Sequence, residues 1–216
     1  LPVDPVFCVV GLGNPGKRYI DTRHNVGFRV IELLARRLGA SEERFESNRF
    51  VSEAICAGRR ILLCRPWTYM NLSGQALAGL SRPGLPDPSE MLVILDDLAL
   101  PLGVLRLRRG GSSGGQKGLE SIVHAMNTVN VPRLRCGIGP LPEGVDPSEF
   151  VLSTFEQEEL ESVANMAERA ARAVETAISE GFETAMNRWN AILRADAPEP
   201  GSLPESGSPS GSDKIF

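Results

Sequence analysis

Two short runs constrain this chain more than anything else in it: Val6-Phe7-Cys8-Val9-Val10, ending in Gly11, and Met91-Leu92-Val93-Ile94-Leu95, ending in Asp96-Asp97. Neither alternates apolar with polar residues. Each therefore predicts a strand buried on both faces, and such strands belong to α/β sheets covered by helices on either side. A chain of 216 residues is long enough for one core of that kind. The expected architecture is a single-domain three-layer α/β/α fold with a twisted mixed sheet. Its parallel core holds the two apolar runs, and residues 50–56 and 60–65, joined by a turn at Ala57-Gly58, supply an antiparallel hairpin part.

Helical spacing of Val26, Val30, Ile31, Leu34 and Leu38 predicts a helix over residues 24–38, with Asp21 or Thr22 as its cap and Gly39 at its end. Further helices are expected over 72–80, before Pro83-Gly84-Leu85-Pro86, and over 119–126. Residues 133–139 read as a strand. Ser153-Thr154 is the expected cap of a long helix whose apolar face includes Leu160, Val163, Ala167, Ala171 and Val174; Gly181 interrupts it before a shorter helix over 182–193. Beyond Ala195, Pro, Gly, Ser and acidic residues replace apolar ones. The reading is one folded domain over residues 1–193 and a disordered tail over 194–216.

The formal charge of −4 hides a division. Residues 1–141 hold 18 basic against 12 acidic side chains, and residues 142–216 hold 5 against 15. An acidic helical flank backing a basic working face fits that division, and so does a surface charged only for solubility. Cys8, Cys56, Cys64 and Cys136 are scattered through apolar segments without C-x-x-C or histidine pairing, which points to reduced core thiols rather than zinc. No apolar run approaches the ~20 residues of a membrane helix, and residues 1–5 lack the regions of an export signal. No membrane partner and a cytoplasmic location are expected.

Chemistry concentrates between Gly11 and Gly27. Asn14 precedes Pro15, whose ring drives it into extended geometry and aims its amide. His24 falls in the expected first helical turn, where the positive end of the helix dipole disfavours protonation, so a neutral imidazole is available as a general base. Gly11, Gly13 and Gly16 also spell the G-x-G-x-x-G dinucleotide fingerprint. Three features argue against that reading. Pro15 removes an N–H from the turn, polar residues 17–23 delay the helix, and no acidic residue ends a second strand about 20 residues on. Asn71 reads either as a helix cap or as a site residue. Asp96 and Asp97 stand at a strand's carboxyl end, where open α/β sheets hold ligands, although acidic pairs there also serve as turns. The run Gly110-Gly111-Ser112-Ser113-Gly114-Gly115-Gln116-Lys117-Gly118 lacks a P-loop's ending; its N–H groups suit phosphate, with a flexible lid as the lesser alternative.

Five segments occur together and in order: G-L-G-N-P-G-x-x-Y-x-x-T-R-H-N-V-G, P-W-T-Y-M-N-L-S-G, L-D-D-L-A-L-P, G-G-S-S-G-G-Q-K-G-L and R-L-R-C-G-I-G. Over residues 6–190 the chain resembles the bacterial peptidyl-tRNA hydrolases. The resemblance implies metal-independent, cofactor-free hydrolysis of the ester joining an N-blocked peptide to the 3′ end of tRNA, which recycles tRNA during translation. It makes His24 the base that activates water and Asp96 the carboxylate that orients it. It places Asn14, Tyr19, Met70, Asn71 and Lys117 around the peptide and terminal nucleotide. Arg106, Arg108, Arg133 and Arg135 become the candidates for phosphate contacts along the acceptor stem. A monomer is expected.

Many relatives carry His-Asn where this chain has Gln116-Lys117. The lysine exchanges a directed amide for a point charge. An RNA-binding protein on the same scaffold that no longer hydrolyses is the alternative, and retention of the whole catalytic set argues against it.

Overall fold

The computed structural model describes residues 6–80 and 86–190. At its centre β1 (Phe7–Gly11) is buried at every position, with β4 (Arg59–Pro66) and β5 (Met91–Pro101) parallel on its two sides. A strand without one polar side chain takes the centre because only there are both faces covered. β7 (Arg133–Gly139) extends the parallel core beyond β5. Antiparallel strands close both edges: β3 (Arg49–Cys56) and then β2 (Arg44–Glu46) beside β4, and β6 (Leu105–Arg108) beside β7. The order is β2-β3-β4-β1-β5-β7-β6.

Alternation along the central strands divides the core in two. Val9, Leu92 and Ile94 face the layer formed by α1 (Val26–Arg37) and α4 (Leu160–Ser179), with α5 (Phe182–Trp189) against α4. Val10, Val93 and Leu95 face α2 (Lys117–Met126) and a 3-10 segment, Met70–Leu77. The three-layer α/β/α sheet is as expected, and α3 (Pro147–Leu152) is an additional short helix. All four cysteines are buried and free, and burial pushes the Cys8 thiol up to about 11, against a smaller opposing pull from Arg49. Among the described residues no helix is long and apolar enough to cross a membrane.

Several elements differ from the sequence reading, each for a local reason. The helix expected from residue 24 begins as a separate 3-10 turn, Arg23–Asn25, before α1. Neither proposed cap is used: the Thr22 hydroxyl donates to the Tyr19 carbonyl at 2.7 Å, and Asp21 pairs with Arg29. The segment expected to be an α-helix over 72–80 is 3-10; its Ser73 and Gly74 are weak α-formers, and Gly74 presses on α2. β5 runs six residues past Leu95, because Gly137 and Gly139 of β7 leave room for the Leu98, Leu100 and Pro101 carbonyls. Ser153-Thr154 does not cap α4. Thr154 pairs with Thr22, while the α4 entrance is closed by Glu159, whose carboxylate accepts the Glu156 N–H at 2.8 Å. Residues 81–85, the boundary at 193 and the tail 194–216 lie outside the described residues.

Candidate active site

His24 owes its position to the residues beside it. Asn25 holds the Asn14 backbone at both polar groups: the Asn14 N–H donates to Asn25 Oδ1 at 2.8 Å, and Asn25 Nδ2 donates to the Asn14 carbonyl at 3.0 Å. Gly27 then lets α1 press on the strand ends, since a Cβ there would stand 2.4–2.6 Å from backbone atoms of Leu12 and Ile94. The turn is thereby brought to the place where β1 stops, opposite Ile94, and β5 continues. Two residues further along β5 lies Asp96.

His24 Nδ1 stands 2.8 Å from Asp96 Oδ2, and the carboxylate side chain is only 3% exposed. An ionised carboxylate only accepts, so Nδ1 carries the proton and Nε2 is the basic nitrogen. The second Asp96 oxygen, Oδ1, accepts from Gln116 Nε2 at 3.0 Å. Asn14 is buried beside the pair, and its Oδ1 accepts the Met70 N–H at 2.8 Å. That contact commits the carbonyl side of the amide to the protein and leaves the Nδ2 donors for the cleft.

These groups border a cleft of about 550 Å³. The glycine loop from Gly114 to Lys117 forms one wall, and Val151 and Leu152 of α3 form part of the other. A base held by a carboxylate beside an amide donor, with apolar surface close by, suits attack of water on a carbonyl.

The family model of peptidyl-tRNA hydrolase matches residues 8–198. The chain belongs to the peptidyl-tRNA hydrolase family. It is 47% identical to the peptidyl-tRNA hydrolase of Chloroflexus aggregans, over 87% of this chain and the whole of that protein. The enzyme of Moorella thermoacetica is also 47% identical, over 86% of this chain and 98% of its own. Among solved structures, the peptidyl-tRNA hydrolase of Acinetobacter baumannii superposes with a TM-score of 0.80 at 34% identity, covering 86% of this chain and 95% of that one.

In this peptidyl-tRNA hydrolase fold the residues picked from sequence do not all converge. His24, Asp96, Asn14 and Lys117 border one cleft. Met70 is buried beneath it and serves through its backbone N–H. Asn71 is exposed on a neighbouring groove of about 500 Å³, which it shares with Lys117 and His124. Lys117 stands on the rim between the two and pairs with Glu120 at 3.1 Å. Tyr19 is half-buried away from the cleft, its ring covered by the Arg18 guanidinium at 4.4 Å.

The four arginines separate into two pairs. Arg106 and Arg108 are exposed on β6, in register with Arg135 and Arg133 of β7. Arg133 is corrected from phosphate ligand to structural clasp. It is 1% exposed, and its guanidinium donates to the carbonyls of Gly111, Ser112, Val129 and Val131, so it has no face to offer a phosphate. Burial, and then the charge of Arg135, lower it to about 10. Arg135 donates to the Ser112 and Ser113 carbonyls and to Asp97 Oδ2, while one side of it borders the cleft. The glycine loop thus turns carbonyls inward to arginine, where sequence suggested N–H groups turned outward to phosphate.

Sequence reading passed over three contributors. Gln116 stands out in sequence only as a departure from the relatives, although a polar residue three before Leu119 carries a capping signal. Asp146-Pro147-Ser148-Glu149 is an unread start signal for α3: Asp146 caps the N–H groups of Ser148 and Glu149, and proline follows it. Arg23 gives no local signal. Its guanidinium reaches Ser153, the Ile138 carbonyl and Glu159, all more than a hundred residues away in sequence.

Proposed function

We propose that this chain hydrolyses the ester between peptide and tRNA in peptidyl-tRNA, with His24 as general base and Asp96 as its orienting carboxylate. The observation that carries the proposal is the 2.8 Å contact between His24 Nδ1 and the buried Asp96, at the edge of a cleft bordered by the Asn14 amide. His24 Nε2 takes a proton from water as the oxygen attacks the ester carbonyl. The tetrahedral carbon then expels the ribose oxygen, which takes that proton back from His24 Nε2, and until then the imidazolium is stabilised by Asp96. Asn14 Nδ2 donates to the substrate, either to the peptide or to the developing oxyanion.

The tRNA lies along the sheet edge next to the cleft. Arg106 and Arg108 offer exposed cations there, and Lys117 and Arg135 border the cleft itself. Such contacts position the acceptor stem without reading its sequence. The enzyme of this reading acts as a cytoplasmic monomer.

Incubation with N-acetylaminoacyl-tRNA, with and without a chelator, tests the reading. Release of the N-acetylamino acid is expected in both arms, to be nearly abolished by His24→Ala and lowered by about 10²–10⁴-fold in kcat by Asp96→Asn. Full turnover by folded His24→Ala would remove the mechanism, and loss of turnover with the chelator alone would remove the metal-independent reading.

A further inference from the structure

We propose that Gln116 is a positioning residue, whose amide fixes the Asp96 carboxylate against His24 and whose own direction is fixed by capping α2. The proposal rests on the esterase reading above. Three contacts define it. Gln116 Oε1 accepts the Leu119 N–H at 2.7 Å, Nε2 donates to Asp96 Oδ1 at 3.0 Å, and Nε2 also lies 3.4 Å from Met70 Sδ.

The two ends of the amide agree on one orientation. A backbone N–H demands an acceptor and a carboxylate demands a donor, so rotating the amide by half a turn would oppose like groups at both ends. Asp96 benefits in turn. Its Oδ2 is taken by His24 and its Oδ1 by Gln116, so the buried carboxylate has no oxygen without a partner and no freedom to swing away from the imidazole.

What carries Gln116 is held as firmly. The loop preceding it is drawn onto β7 by Arg133, at the Gly111 and Ser112 carbonyls, and by Arg135, at the Ser112 and Ser113 carbonyls. Arg135 also donates to Asp97 at 2.8 Å. The same loop therefore secures both members of the acidic pair: Asp97 through the arginine that clasps it, and Asp96 through the glutamine at its end. Asn14 joins the same assembly, since the Met70 whose sulfur touches Gln116 donates its N–H to Asn14 Oδ1. Base, carboxylate and substrate amide are coupled through one side chain at the start of α2.

Two variants separate positioning from capping. Gln116→Ser retains a short helix cap and cannot reach Asp96. Gln116→Glu retains the length and an acceptor for Leu119 while placing like charge against Asp96. Two readouts are taken: steady-state hydrolysis of N-acetylaminoacyl-tRNA, and the nuclear magnetic resonance signal of the His24 Nδ1 proton in the protein without substrate. The expected result is kcat lowered roughly 10-fold in Gln116→Ser and roughly 100-fold in Gln116→Glu, with KM within about twofold of the parent. The Nδ1 proton signal is expected to shift or to broaden by exchange in both. Parental kcat with an unmoved signal overturns the proposal, as does a raised KM at parental kcat, which would make Gln116 a substrate contact. Should Gln116→Ser fail to fold, Gln116→Glu gives the same decision. A moved signal in these variants, combined with full activity of His24→Ala, would sink the esterase reading and leave the positioning role standing.

Discussion

Asn14 illustrates how a single side chain here serves fold and chemistry with opposite ends. Its carbonyl oxygen accepts the Met70 N–H, and its amide nitrogen faces the cleft. Asn14→Asp keeps the acceptor and removes the donor. The expected outcome is a thermal midpoint close to the parent's with kcat/KM lowered about 10- to 100-fold, checked by melting curves beside steady-state kinetics. The proline after Asn14 made it legible in sequence as an aimed amide. Its partner was not legible, because Asn25 meets it only after the chain has turned from β1 into α1.

Among the elements, the passage from β7 through α3 into α4 depends on Arg23. This guanidinium lies between the rings of Phe150 and Phe155, at 4.6 and 4.7 Å, and ends on Glu159. It ties α3 and the entrance of α4 to the turn that carries His24. Arg23→Met is expected to destabilise the fold by about 2 kcal/mol or more, the usual cost of breaking a buried pair being reduced because Glu159 is 27% exposed. The pair also sets a pH dependence. Burial works against the charge on Glu159, but the Arg23 guanidinium and the Glu156 N–H outweigh it and hold the carboxyl below its ordinary 4.5. A carboxyl depressed in the folded state contributes stability in full above 4.5 and loses it as the pH falls through the depressed value. Denaturant unfolding at pH 7 and at pH 3 is therefore expected to show a wide gap between parent and Arg23→Met at the higher pH and a narrower one at the lower.

At the scale of the whole molecule, the strand order places two of the arginines on an edge of the sheet. β6 lies at one edge and presents Arg106 and Arg108 beside the glycine loop. Replacing both with glutamine is expected to weaken tRNA binding and to lower the slope of log affinity against log salt by about one for each lost phosphate contact, with kcat unchanged. Filter binding across a salt series measures this. Arg133→Gln is expected to behave differently: the loop loses its clasp, stability falls, and the salt slope stays where it was. A flattened slope in stable Arg133→Gln would return that residue to the tRNA face.

Periodicity was enough to read the layers, because an apolar run without polar alternation has only one comfortable place, the middle of a covered sheet. Local pattern singled out Asn14 and His24 as candidates, because each stands at the end of an element whose pattern is strong, whereas Asp96 became a candidate only through the family resemblance. The roles of the arginines were not readable that way. Arg106 and Arg133 look alike in sequence, and burial decided between them: one faces out from an edge strand, and the other was drawn inward by carbonyls of a loop 21 and 22 residues distant. Sequence determines which side chains are available for chemistry, since identity and local direction are properties of the neighbouring residues. Which of them meet is decided by packing, since a carboxylate on β5, an imidazole before α1 and an amide before α2 come within hydrogen-bond reach only where the sheet brings those three ends together.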